Sequence, residues 1–418
     1  MYVSVRDRPA DSADRRVGRV ATTVLLLGVV SMLTDVSSEM VAAVLPLYLT
    51  TQVGLGYLAY GFVDGLYQGV SAVVRIAGGY AGDRGGRPKW IAVCGYGISA
   101  LSRIALLPAT GFAAIATVIT GDRLGKGLRT APRDALIAAS SDPATLGRAF
   151  GVHRTLDTIG AALGPLVAFA LLALVPGSYD SVFVTSFAFA VVGFAVLVLF
   201  VPDLRTGAAA TRAGLRRVLK EIGGARLRRP LAATALLGVL AIGDGFLYLA
   251  VQERDDLAAS IFPLLYVGTN VAYLAFALPL GRLADRIGRA RVFVGGHVAL
   301  AAAYLAAGLP YGGAATTVIV LLLLGTFYAA TDGVLAALVS RLVSAEARGS
   351  GIAAAQTVVA LTRFISAVGF GTLWMLIGPD RALLLVAGLL ALAMPVAWWL
   401  LRPADPAPSS PPSSPVPG

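Results

Sequence analysis

The fold of this chain is decided by a stretch that occurs twice. It reads Gly79-Tyr-Ala-Gly-Asp83-Arg84-Gly-Gly86-Arg87-Pro-Lys89, and again Gly281-Arg-Leu-Ala-Asp285-Arg286-Ile-Gly288-Arg289-Ala-Arg291. Glycine, aspartate and basic residues match at one constant offset, and each copy lies between two apolar windows. The repetition predicts two halves of the same organisation, in which the helices beside each copy occupy equivalent places.

The composition around these copies is that of a membrane protein. Apolar residues make up 57% of the 418 residues, charged residues make up 14%, and the mean hydropathy is +0.78. Soluble domains carry about 25% charged residues, so a soluble enzyme, a disordered protein and a nucleic-acid-binding protein are excluded despite the net charge of +11. The single cysteine, Cys94, and the distant His153 and His297 argue against a disulfide framework and a metal site.

Spanning helices can be placed from length alone. Every backbone N–H and C=O must be satisfied inside lipid, so a spanning helix needs about 20 mostly apolar residues. Twelve windows meet this requirement: 20–50, 56–80, 90–109, 112–138, 147–175, 180–202, 231–252, 260–280, 292–310, 314–340, 350–376 and 381–401. We predict an all-α integral membrane protein with twelve transmembrane helices in two pseudo-symmetric six-helix halves.

The segments between the windows define the domain organisation. A polar, basic linker at 203–230 separates an N-terminal half at 19–202 from a C-terminal half at 231–402. Residues 1–18 are expected to be a cytoplasmic N-terminal segment without a cleavable signal peptide. The Pro/Ser-rich tail at 403–418 is expected to be disordered.

Basic residues in the loops predict the orientation. With the N-terminus inside, the inner loops hold almost all of the loop arginines, and the outer loops hold only Arg254 and Arg381. The positive-inside rule therefore predicts that both termini are cytoplasmic, and the loop charge faces an anionic leaflet of the bilayer. Heavy use of Ala, Gly and Arg suggests a bacterial source and hence the inner membrane.

The repeated pattern, the twelve windows and the basic linker together resemble the major facilitator superfamily, whose signature loop joins helices two and three and recurs between helices eight and nine. The stretches Asp122–Asp134 and Thr34–Met40 also resemble a group of largely uncharacterised bacterial members. The resemblance implies a transporter of small molecules that works by alternating access, without a cofactor and generally as a monomer.

The resemblance also implies a conformational latch in the repeated loops. In the family these loops hold the outward-facing state, and a carboxylate such as Asp83 or Asp285 can cap a helix N-terminus or pair with a nearby arginine. The alternative is a tight turn whose charges only set topology. The candidate latch residues are Gly79, Asp83, Arg84, Gly86, Arg87, Gly281, Asp285, Arg286, Gly288 and Arg289.

Charges inside the spans are the main candidates for function, since a charge at mid-membrane costs roughly 2.5–3.5 kcal/mol on insertion scales. The resemblance implies that helices one, four, seven and ten line a central cavity. The candidate residues for a substrate cavity are Arg123, Lys126, Asp244, Asp332 and Arg363.

Four acids are candidates for proton coupling. Asp35 and Glu39 are four residues apart on one helix face, so each raises the other's affinity for protons. Asp64 and Asp157 are the second choice. The alternative for each acid is a static ion pair with an arginine of the same half. Arg123 falls where many family members have a helix-four arginine linked to proton transfer.

The fifth window contains Gly151, Gly160, Gly164 and Pro165, a spacing that resembles the glycine–proline signature of proton-coupled exporters. The closing glycine pair of that signature is replaced by Ala168 and Phe169. The alternative explanation is close helix packing on small residues.

Three classes of function are compatible with these observations to different degrees. The favoured one is proton-driven efflux of small amphipathic molecules, drugs or metabolites, and the alternative is proton-coupled uptake of a small organic anion by Arg123, Lys126 and Arg363. An enzyme or receptor is disfavoured because the sequence has no nucleotide loop and no sizeable soluble domain.

Overall fold

The computed structural model describes residues 21–85, 87–142, 145–204, 224–344 and 348–402, and within these ranges the regular structure is helical throughout. Thirteen α-helices occur there. They are α1 (Thr22–Leu47), α2 (Tyr57–Gly85), α3 (Pro88–Ala105), α4 (Gly111–Ala139), α5 (Leu146–Leu174), α6 (Tyr179–Phe200), α7 (Ala225–Gly238), α8 (Asp244–Asp255), α9 (Phe262–Ile287), α10 (Arg289–Gly308), α11 (Ala314–Ser340), α12 (Arg348–Ile377) and α13 (Pro379–Leu401). The segments 1–20, 205–223 and 403–418 lie outside the described residues.

The predicted windows agree with the helices in all but a few places. Eight of the described helices are long and apolar enough to cross a membrane. In this count α1 includes the short π-helix Tyr48–Gln52 that follows it. Among the others, α4 carries six charged residues, which lowers its apolar character. α7 begins at Ala225, so the end of the predicted linker at 203–230 is helical.

The seventh window was predicted as one helix over 231–252, and this prediction was wrong. The chain leaves the helix after Gly238 and resumes it at Asp244, which gives the separate helices α7 and α8. The Tyr304 hydroxyl of α10 accepts the Ile242 N–H at 2.7 Å and lies 3.4 Å from the Leu240 carbonyl. A tyrosine from another helix therefore satisfies backbone groups that the break exposes.

The repeated stretches were predicted as loops, and most of each is helical instead. α2 continues through Gly85, and α9 continues through Ile287. α9 ends at Ile287. The next residue, Gly288, has a φ of 104°, which favours glycine, and its N–H donates a hydrogen bond to the Ala284 carbonyl. The turn in the second copy is therefore confined to Gly288.

The two halves are joined mainly by two helix pairs, α2 with α12 and α5 with α9. These pairs are equivalent under the internal repeat, since α2 corresponds to α9 and α5 to α12. Glycines allow the close approach of α2 and α12. A Cβ added at Gly65 would lie 2.8 Å from the Phe364 ring, and Gly61 lies against the Ala367 carbonyl.

The bundle has two ends, which we name by their loops. The basic end holds the loops near Arg87, Arg148, Arg289 and Arg341, and the opposite end holds the loops at 53–56, 106–110, 256–261 and 309–313. α2 begins at the opposite end and α12 finishes there, so their contacts from Tyr57 to Gly69 and from Ala360 to Gly371 lie in the half of the bundle nearest the opposite end.

Candidate functional site

A central cavity of about 560 Å³ lies between the two halves. It brings together seven of the nine predicted cavity and proton-coupling residues: Glu39, Asp64, Arg123, Lys126, Asp244, Asp332 and Arg363. Asp35 and Asp157 do not line it. The wall also includes residues of α2, α5, α9 and α12, which extends the predicted lining of helices one, four, seven and ten.

Aromatic side chains close this cavity toward the opposite end. Tyr57 of α2 stacks on Trp374 of α12 with ring centroids 4.4 Å apart. Below them, Tyr60 contacts Phe246, and Phe246 contacts Phe370, at 4.7 and 5.1 Å. These rings come from both halves, so they hold the halves together at that end.

Toward the basic end the central cavity adjoins a second cavity of about 420 Å³. The two cavities share Arg154, Tyr273, Asp332 and Arg363 as lining residues. The second cavity continues past Gln356 and Leu335, which are nearer the basic end of α12 and α11. In this conformation the cavities therefore extend from the site toward the basic end.

A buried ion cluster supports the α4 wall of the cavity. Asp122 pairs with Arg103 of α3 at 2.7 Å and accepts a hydrogen bond from Arg123 Nε at 2.8 Å. All three side chains are at most 2% exposed. Arg103 also donates to Ser38 of α1 at 2.9 Å. The sequence analysis did not select Asp122 as a candidate, although an Asp-Arg pair inside a spanning window was the available signal.

Tyr67 holds the other side of Arg123. The Arg123 guanidinium lies 3.6 Å from the centroid of the Tyr67 ring, a distance typical of a cation–π contact. Between Asp122 and Tyr67, the guanidinium of Arg123 is fixed at the cavity wall. Arg123 lines the cavity, and its predicted role there stays a prediction.

A second ionic cluster joins α1, α4 and α5. Asp157 accepts a hydrogen bond from Ser31 at 2.8 Å and lies 3.9 Å from Arg133 and 3.5 Å from Arg154. Asp35, one turn after Ser31, places its carboxyl within hydrogen-bonding reach of Asp157.

In the structure, the acidic neighbour of Asp35 differs from the one that the sequence suggested. The spacing had suggested a pair of Asp35 with Glu39, but Glu39 faces the central cavity while Asp35 faces Asp157 on α5. Lys126 and Arg129 of α4 are the nearby cations. The reason is that α5 packs directly on α1, which brings Asp157 to the same face as Asp35.

Asp244, a cavity-lining acid of the C-terminal half, has a hydroxyl neighbour instead of a cation partner. Tyr328 of α11 donates a hydrogen bond to Asp244, the first residue of α8. The Arg363 guanidinium lies 5.8 Å from the Tyr328 ring centroid. In the part of the chain that the structure describes, Asp64, Asp244, Asp332 and Arg363 form no ion pair within 4 Å.

Two of the three glycines of the predicted exporter signature, Gly160 and Gly164, pack against α1 in this structure. Gly160 lies against the Met32 backbone, and a Cβ at Gly164 would lie 2.8 Å from the Val36 carbonyl. Both contacts allow α5 to approach α1. Gly151 is exposed with nothing near it, and Pro165 lies inside α5. The link between this signature and export stays a prediction.

The predicted latch can be followed only in its second copy. Asp285 pairs with Arg289 at 2.9 Å, and Arg289 donates to the Ala337 carbonyl near the end of α11 at 2.8 Å. Both contacts lie within the C-terminal half, and Arg286 is exposed.

In the first copy, Arg87 is exposed, and Gly79, Asp83 and Arg84 belong to the α2 backbone. The side chains of those α2 residues, and Gly86, lie outside the described residues. The latch therefore stays a prediction for both copies.

Comparisons with known proteins identify the family. The family model described as Major Facilitator Superfamily matches residues 27–268 and 242–417. The chain therefore belongs to the major facilitator superfamily, and it is a multi-pass membrane transporter. An uncharacterised transporter of this type from Methanocaldococcus jannaschii is 33% identical over 390 residues, covering 89% of this chain and 95% of that protein.

More distant similarities agree with this assignment. An uncharacterised protein of Mycobacterium tuberculosis is 30% identical over 173 residues, which cover 41% of this chain and 40% of that protein. The solved nucleoside transporter NupG superposes with a TM-score of 0.76 at 15% identity, covering 91% of this chain and 99% of that one. A peptide transporter, POT, in complex with sulfate gives a TM-score of 0.76 at 14% identity over 92% and 95% of the chains. At these identities the two structures show the fold alone.

Proposed function

We propose that this transporter is driven by protons and exports a small polar solute through the central cavity by alternating access. The observation that carries proton coupling is the approach of the Asp35 and Asp157 carboxyls across the contact between α1 and α5. Two ionised carboxylates at hydrogen-bonding distance repel each other, and one shared proton removes the repulsion. The pair belongs to two helices, so a relative movement of α1 and α5 separates the carboxyls and releases the proton.

The cations beside this pair support the same function. Arg133 and Arg154 approach Asp157, while Lys126 and Arg129 lie near Asp35. Lys126 and Arg154 also line the central cavity. A change in the charge of the acid pair therefore alters the electrostatic environment of residues that face the solute. A proton-driven transporter needs such coupling.

The cavity lining supports a polar solute over an amphipathic one. Pockets for drug-like ligands are lined mainly by apolar side chains, whereas charged side chains of both signs and five tyrosines face this cavity. The tyrosines are Tyr60, Tyr67, Tyr266, Tyr273 and Tyr328. Uptake of an organic anion is the second candidate, because Arg123, Lys126 and Arg154 stand together on the N-terminal side.

Transport into proteoliposomes tests coupling and direction together. The panel should include amino acids, dipeptides, nucleosides and organic acids, each added under an imposed pH gradient. An exporter that exchanges solute for protons accumulates its solute in vesicles with an acidic lumen. A proton-linked importer accumulates it when the outside is acidic. Absence of any gradient-dependent accumulation would overturn the proposal.

The variants Asp35→Asn and Asp157→Asn test the proton site. We expect each to lose gradient-driven accumulation while keeping solute exchange at equal pH, because the cavity itself is unchanged. Asp256→Asn is the matched control, since Asp256 is exposed at the opposite end and has no part in the cavity or the predicted latch. Gradient-driven accumulation at the wild-type level in both variants would refute the assignment.

A further inference from the structure

A separate acidic site lies at the closed end of the central cavity, on the boundary between the two halves. Asp64 comes from α2 in the N-terminal half, and Asp244 is the first residue of α8 in the C-terminal half. Oδ2 of Asp64 is buried against Gly243, in the break between α7 and α8, and has no hydrogen-bond partner. Both carboxylates line the cavity.

Tyr60 provides an independent observation that points to a ligand. Its side chain is 1% exposed, its hydroxyl has no hydrogen-bond partner, and it lines the cavity together with the two acids. The hydroxyl lies against Gly245, in the first turn of α8. Buried hydroxyls are normally paired, because an unpaired one costs about 1–3 kcal/mol.

The charge around this site is negative overall. Asp64, Asp244 and Asp332 supply three carboxylates, and Arg363 is the nearby cation, without an ion pair within 4 Å in the described ranges. The first turn of α8 adds about half a positive charge. When all three carboxylates are ionised, these positive charges do not balance them, so the site then favours one further positive charge.

We propose that Asp64, Asp244 and Tyr60 bind one monovalent cation, either Na⁺ or the ammonium group of a solute. Two carboxylates and a hydroxyl are hard oxygen ligands, which suit an alkali ion or an ammonium group. The described residues contain no group of three or more His, Cys, Asp or Glu placed to hold a metal ion, so a multi-carboxylate divalent site is not formed there.

The position of this site gives the cation a conformational effect. Its ligands come from α2 and α8, and these helices must separate when the opposite end opens. A bound cation therefore stabilises the conformation in which that end is closed. This site is spatially and chemically separate from the Asp35–Asp157 pair, so the two proposals can fail independently.

Thermal unfolding of the purified full-length protein tests the site. The chlorides of sodium, methylammonium and choline are compared at equal ionic strength, with choline as the large cation that the site cannot hold. We expect a saturable rise in the melting temperature with Na⁺ or with methylammonium, because a ligand that binds only the folded state stabilises it. A response to Na⁺ identifies an alkali-ion site, and a response to methylammonium alone identifies a site for a solute amine.

Three variants and one control complete the test. Asp64→Asn and Asp244→Asn should abolish the response, and Tyr60→Phe should raise the half-saturating concentration about tenfold, the change expected when one hydrogen-bonding ligand is lost. Tyr60→Phe keeps the ring, so it serves if a carboxylate variant does not fold. Asp256→Asn is the control, since Asp256 is exposed and follows α8 in a left-handed conformation that Asn accepts. No response beyond choline in the wild type, or an undiminished response in the folded variants, would overturn the proposal.

Discussion

The two halves of this transporter share one fold but differ in how two groups of charges at the cavity are paired. In the N-terminal half, Arg103 and Arg123 converge on Asp122, and all three are closed off from solvent. In the C-terminal half, Asp244 and Arg363 face the cavity with a tyrosine between them and no ion pair within 4 Å in the described ranges. The buried Asp122 cluster therefore supports the cavity wall, whereas Asp244 and Arg363 are available to a ligand.

The largest effect is expected from Asp122→Asn. This change leaves Arg103 and Arg123 buried without a carboxylate, and breaking a buried pair in this way costs about 3–5 kcal/mol. The free energy of unfolding, measured by chemical or thermal denaturation in detergent, should fall by that amount.

The loss of stability in this variant is compared with the losses in two other variants, each of which also replaces an aspartate by asparagine. Asp285→Asn removes an exposed pair and should cost less than about 1 kcal/mol. Asp332→Asn in the C-terminal half should also have little effect on stability, because Asp332 has no ion-pair partner within 4 Å among the described residues. A loss at Asp332 as large as that at Asp122 would contradict the contrast between the halves.

A smaller effect is expected where α3 crosses α4. A Cβ added at Gly125 would lie 2.6 Å from the Gly95 carbonyl and 2.9 Å from the Ser99 nitrogen, both of which belong to α3. Gly125→Ala should therefore lower the free energy of unfolding by about 1–3 kcal/mol, the usual cost of overpacking.

The control for Gly125 is in the other half. Gly295 of α10 has nothing within 4 Å of an added Cβ, so Gly295→Ala should be close to neutral. Equal losses in the two variants would show that the tight α3–α4 crossing does not determine the result.

The smallest effect is expected at the aromatic closure. Tyr57 and Trp374 stack across the two halves, and such a pair contributes about 0.5–1.5 kcal/mol. Trp374→Leu should shift the conformational equilibrium roughly 2- to 12-fold toward opening of the opposite end. The rate at which a maleimide added from that side labels a cysteine at Ala42, which lines the cavity, measures this shift.

This labelling needs a background without the exposed Cys94. Trp399→Leu is the control, since Trp399 is 64% exposed on α13 and takes no part in the closure. The same labelling rate in the Trp374 variant and in the parent would argue against a role of the stack in closing that end.

The sequence predicts the helices well because apolarity is a local property. Charges inside spanning windows are costly and mark candidate functional places, and seven of the nine residues chosen in this way line the cavity. The side-chain partner of a buried charge, by contrast, depends on how the helices pack and not on neighbouring residues in the sequence. Asp35 faces Asp157 because α5 packs on α1, and Asp122 joins two arginines from different helices.

The break between α7 and α8 shows the same limit. Residues 239–242 read Val-Leu-Ala-Ile and contain no proline, and the flanking Gly238 and Gly243 are only a weak local signal for an interruption. The interruption is stabilised by Tyr304, which belongs to a helix more than sixty residues further along the chain. Such a tertiary contact overrides the local preference for a continuous helix.

That break makes the two repeats mechanically unequal. α1 is one rod from Thr22 to Leu47, so a rotation applied at its basic end is carried along its whole length. The equivalent span in the other half is two short rods with a joint between them, and Tyr304 holds the joint. Movement of α7 at the basic end can be absorbed at this joint, while α8 keeps its place beside α2.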